Sequence, residues 1–197
     1  MIKENEVHWF ALRVRNSTPN RLEALKTLLD REEKVKETYI PLAFLKVSQT
    51  KMAFTPSLVN FIYVRASLAD MRAIKGNKER YEALRYVMHP VYDAQYNIST
   101  EPIYVPDKRM DDFKLTTAVA NDKVIFLDNP DYACKPSQEV QITEGQFAGV
   151  KGRIKRIQGN RCVVIPIGKD VAVAITGLSR KQLRYLSEAE IYEDESE

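Results

Sequence analysis

Apolar and polar positions along this chain follow two different rhythms. The run VHWFALRV from Val7 to Val14 is apolar and aromatic, as a strand would be. Thr18-Pro19 then offers a capping hydroxyl followed by proline at a helix start. Leu22, Leu25, Leu28 and Leu29 recur at helical spacing, which predicts an amphipathic helix to about Arg31. Further strands are expected at 39–47 and 59–64, a short helix at 68–75, and strands around 84–88 and 103–105. Pro106-Asp107 opens a last helix with Met110, Phe113 and Thr117 on one face. This order suits an α+β fold in which an antiparallel sheet is backed by helices.

In the last third the rhythm shortens. Strand-like runs fall at 139–143, 150–157, 161–167, 171–176 and 183–186, with Gln158-Gly159-Asn160 and Gly168-Lys169-Asp170 suited to hairpin links. Six of the seven glycines lie between Gly145 and Gly177, where tight turns would need them. A small five-stranded β-barrel follows. The stretch Asp128–Ser137 is polar and twice interrupted by proline, the composition of a linker. The chain is thus read as a domain over 1–121, a linker over 122–137, a barrel over 138–187 and an acidic tail over 188–197.

Composition adds limits. Hydrophobic residues at 44% and charged residues at 29% are ordinary for a soluble chain, and no apolar run approaches the length of a membrane span. The amino terminus lacks the pattern of a signal peptide, so the cytoplasm is the expected compartment. The net charge is +3, but the last ten residues hold six of the 27 acids and no base, so the body is more basic than the total. Nucleic acid, or a protein that handles it, is a reasonable partner for such a body.

Chemistry is sparse. The two cysteines, Cys134 and Cys162, stand at no metal or redox spacing, and Cys162 sits in a run that reads as core. His8 and His89 have no acid or nucleophile beside them in a motif. There is no glycine loop for a phosphate and no metal-ligand spacing. Neither an enzyme nor a cofactor is expected. Lys151, Arg153, Lys155, Arg156 and Arg161 crowd two adjacent strands, where they could hold RNA phosphates or form a solvated face.

The segment VQITEGQFAGVKGRI, Val140 to Ile154, resembles a KOW motif in its NusG form: a strand, a Gly-x-Phe-Ala loop, and a glycine opening the next strand. His8-Trp9-Phe10-Ala11-Leu12 resembles the opening strand of that family, and Asn60-Phe61-Ile62-Tyr63-Val64 a later one shared with the paralog RfaH. Ile103 to Phe113 is similar to the last strand and helix of UpxY-type paralogs, which antiterminate capsular polysaccharide operons. Val59 and Phe61 depart from the usual proline and tyrosine, and Gly76–Thr100 does not match the housekeeping pattern.

The resemblance implies a NusG amino-terminal domain followed by an SH3-like KOW barrel. It implies docking on the clamp helices of the largest RNA polymerase subunit through Phe10, Phe61 and Tyr63. It further implies that Phe147, with Gly145 and Gly152 shaping its loop, meets termination factor Rho or a small-subunit ribosomal protein. Contact with non-template DNA or RNA is a further expectation. An operon-specific antiterminator is favoured over two alternatives: a housekeeping pausing and Rho-termination factor, and an RNA-binding, ribosome-associated KOW protein.

Overall fold

The computed structural model describes residues 4–46, 52–56, 60–92, 95–118, 123–127, 138–157, 159–167, 172–187 and 190. The expected linker from Asp128 to Ser137, Cys134 and most of the acidic tail lie outside these residues. Two compact units emerge, one of Met1–Ile40 with Leu58–Val105 and one of Pro41–Ser57 with Pro106–Glu197.

The first unit is built on β1 (Val7–Val14) and β5 (Phe61–Ser67), antiparallel along β1 from Val7↔Ser67 to Arg13↔Phe61. β2 (Glu37–Tyr39) extends the sheet beyond β5. β6 (Leu84–Tyr86) and β9 (Tyr104–Val105) both pair with β1. Helix α1 (Pro19–Leu29) starts where the Thr18 hydroxyl accepts from the Arg21 N–H at 3.2 Å, with proline in the first turn. Helix α2 (Leu68–Gly76) starts the same way from Ser67, and α3 (Lys78–Tyr81) from Asn77. Leu22, Leu25 and Leu29 of α1 and Met71 and Ile74 of α2 bury against Phe10, Leu12, Ile62 and Val64. Spacing at 3.6 on the helices and 2 on the strands brings these residues into one core.

A hairpin of β7 (Met88–Tyr92) and β8 (Ile98–Pro102) follows β6 and pairs with neither neighbour. Sequence periodicity does not announce it, because most of its apolar residues stay in solvent.

The second unit contains the β3 (Leu42–Lys46) and β4 (Met52–Pro56) hairpin, helix α4 (Asp107–Ala118) and a six-stranded antiparallel sheet. Five of its strands are those expected: β11 (Glu139–Ile142), β12 (Lys151–Ile157), β13 (Asn160–Pro166), β14 (Ala172–Ile175) and β15 (Leu183–Tyr185). The sixth is β10 (Val124–Leu127), which pairs with β14 from Val124↔Ile175 to Leu127↔Ala172. The count of five is therefore corrected to six, and residues 124–127 are strand where a linker was expected. Val-Ile-Phe-Leu has the propensity of a strand, but the polar stretch after it dominated the sequence pattern. A boundary after 121 is also not where the units divide. Helix α4 groups with the carboxy-terminal strands. Among the described residues no helix is long and apolar enough to cross a membrane.

Candidate functional site

The pleat of β1 and β5 decides which side chains meet. Antiparallel partners share a face, so Phe10, Leu12, Ile62 and Val64 lie on the helix side. Trp9, Ala11, Arg13, Phe61, Tyr63 and Arg65 lie on the other. Phe10 is thus separated by the sheet from Phe61 and Tyr63, with which the resemblance grouped it. On the second face the Arg13 guanidinium carbon stands 5.3 Å from the Phe61 ring centre, and the Phe61 and Tyr63 rings stack at 6.5 Å. Trp9, Phe61 and Tyr63 are all buried. Burial pushes the Tyr63 phenol well above its ordinary pKa, and the neighbouring Tyr39 adds to the shift.

The turn from β11 to β12 carries the segment that resembles a KOW motif. Gly145 takes a φ of 85° and Gly149 one of 95°, values that side chains disfavour. The Gly149 N–H reaches back to the Ile142 carbonyl at 2.8 Å, and the Ala148 N–H to that of Gly145 at 3.1 Å. Phe147 is only 3% exposed, so its ring fills this end of the unit and does not stand out as an anchor. An open cleft of about 390 Å³ adjoins it, lined by Lys123, Glu144, Gln146, Leu178 and Gln182 as well as Phe147.

Helix α4 is a feature that motif reading assigned elsewhere. It packs against β13 and β14 and buries Met110 and Phe113. Both faces of these strands are consequently covered: Val163, Ile165, Val173 and Ile175 on one side, Cys162, Val164, Ala172 and Ala174 on the other. The sequence held this signal. Unbroken apolar runs such as Cys162–Ile167 mark strands buried on both faces. At the helix edge the Asp112 carboxylate accepts from the Lys151 backbone N–H at 3.3 Å. Glu139 accepts from Arg153 Nε at 3.0 Å and lies 4.0 Å from Arg109. These groups border a cavity of about 20 Å³, room for about one water.

The five cations do not form one patch. Lys151, Arg153 and Lys155 alternate on one side of β12, with Glu139 and Gln141 opposite Arg153 and Lys151. Arg156 pairs with Arg161 on the reverse side, across the β12–β13 ladder. Cys162 is buried, which pushes its thiol pKa up. Among the described residues no group of three or more His, Cys, Asp or Glu could hold a metal ion.

No protein-family model and no curated protein matches the chain. A solved structure titled "Domain interaction in Thermotoga maritima NusG" aligns with 94% of this chain and 100% of that one, at 16% identity and a TM-score of 0.38.

Proposed function

We propose that this protein is a non-catalytic transcription elongation factor of the NusG type, which binds RNA polymerase and suppresses pausing and termination at a restricted class of operons. The observation that supports this best is the agreement between motif and geometry at Val140–Ile154. Glycine is demanded at 145 by a positive φ, and at 152 by a close approach to Val164. The aromatic loop residue between them closes the end of a small β unit. The order of elements before it, strand, helix and returning strand, agrees with the other resembling segments.

In this reading Phe61 and Tyr63, with Trp9 and Arg13 on the same face, make the polymerase contact, and Phe10 supports that face from behind. Since Phe61 and Tyr63 are buried, the contact requires the face to be exposed first. A factor that binds one state of the enzyme more tightly shifts the population towards that state, which lowers pausing without any chemistry by the factor. The β11–β12 turn and its cleft supply a place for a second partner, for which Rho or a small-subunit ribosomal protein are the candidates.

RNA binding by the carboxy-terminal unit is less favoured. Its cations are split between two sides of the ladder, and Arg153 is engaged with Glu139. A single-round transcription assay on a template with a defined pause tests the proposal. Added protein should shorten the pause or raise read-through of a terminator. Unchanged pause lifetimes and termination at saturating protein would overturn it.

A further inference from the structure

The β7–β8 hairpin carries apolar side chains for which the fold has no use. The register pairs Met88 with Pro102, Pro90 with Thr100 and Tyr92 with Ile98, so these residues share one face. Met88 is 45% exposed, Tyr92 61% and Ile98 67%. Bare two-stranded ribbons are ordinarily protected by lysine. Here the sequence from Tyr86 to Asp107 contains no lysine or arginine, the longest such stretch in a basic chain.

Tyr96, beyond the end of β7, sharpens the case. It is 84% exposed and holds a φ of 61°, a left-handed conformation that bulky residues avoid at a cost of about 1–2 kcal/mol. Asparagine or glycine would serve the turn better. The tyrosine therefore gains nothing from burial and is costly to the backbone. A ring kept in solvent at that cost is suited to a partner.

The missing cations decide the partner's class. A nucleic acid stacked on tyrosines needs a basic groove to hold its phosphates, and this hairpin offers His89 opposite Glu101 but no lysine or arginine. A second copy of the hairpin would bring like charge to like. Tyrosine, methionine and isoleucine without a cation suit an apolar cleft with a basic rim on another protein. We propose that the β7–β8 hairpin is a second docking element for RNA polymerase, with Tyr92, Tyr96 and Ile98 entering such a cleft. This inference rests on the polymerase-binding function proposed above.

The test is binding of the full-length protein to purified bacterial core RNA polymerase. Wild type is compared with Tyr96→Asn and with the double variant Tyr92→Ser/Ile98→Ser. Tyr96→Asn relieves the backbone, so the variant should melt no lower than wild type while its affinity falls about fivefold or more. The double variant should lose about tenfold or more. Absence of wild-type binding sinks the function itself, whereas equal binding by wild type and both variants sinks the hairpin's role alone. Two other results overturn the inference. One is wild-type dimerisation that the substitutions abolish, which makes a second copy the occupant. The other is weakened binding to a DNA–RNA scaffold with unchanged affinity for the core enzyme.

Discussion

Gly152 runs so close to Val164 that a Cβ at position 152 would lie 2.7 Å from the Val164 carbonyl oxygen. The Val163 Cγ1 would stand 2.8 Å away, so the obstruction comes from both backbone and side chain. Carbonyl oxygens in a ladder cannot swing aside as a lysine tip can. Gly152→Ala should therefore destabilise the carboxy-terminal unit by roughly 1–3 kcal/mol. Denaturant unfolding followed by a probe in that unit measures this, and an unchanged midpoint would contradict the close packing.

Asp112 ties helix α4 to the Lys151 amide of β12. Asp112→Ala should remove about 1 kcal/mol and leave the rest of the unit folded. Hydrogen exchange at 107–118 should accelerate, with the amides of β13 and β14 little changed. Exchange in α4 as slow as in wild type would mean that the carboxylate does not secure the helix.

Tyr81 is buried, and its hydroxyl lies 2.7 Å from a Glu32 carboxylate oxygen and 3.3 Å from the Leu28 carbonyl. Burial and the Glu32 hydrogen bond push its pKa up to about 12. A raised folded-state pKa means stability that is complete below the unfolded value near 10 and lost as pH rises through about 12. Burial raises Tyr86 to about 12 as well, so the two losses add. Thermal melts from pH 9 to 12 should show a decline that Tyr81→Phe reduces.

Asp30 supplies the acid side. Burial works to raise its pKa, but hydrogen bonds from Lys26 and Thr38 outweigh this and hold it below the ordinary value. Its contribution is present above the unfolded pKa near 3.8 and lost as pH falls through the lower folded value. Thr38→Val should flatten the acid limb of the stability profile, and an unaltered limb would assign that limb to other carboxylates.

Cys162 should be inert in the native protein, since burial removes both access and thiolate character. Peptide mapping after treatment with a thiol reagent should find this residue unmodified until denaturant is added. Rapid labelling under native conditions would mean that the packing around β13 opens.

The sequence patterns located most of the framework, and their failures share a cause. β1, α1, α2 and the five later strands were legible because each has one face or both faces buried, which imprints a period. β10 escaped because four apolar residues before a polar, proline-broken stretch have no period long enough to register. The β7–β8 hairpin escaped because Pro90 discourages a strand assignment and its apolar side chains answer to no core. The apolar, aromatic runs marked β1 and β5 as strands, but not which aromatics shared a side. Only the register separates Phe10 from Phe61 and Tyr63. Exposure was likewise illegible for Phe147, since a glycine-bordered aromatic can close a barrel end or project from it.

The central claim is tested most directly by the affinity of the full-length protein for bacterial core RNA polymerase, measured with the protein shown to be folded. The result expected is saturable binding at micromolar or tighter dissociation constant, weakened by Arg13→Glu, which reverses charge beside Phe61 without emptying the core. No detectable binding by the folded protein would contradict the claim and turn attention to the carboxy-terminal unit as an RNA-binding module.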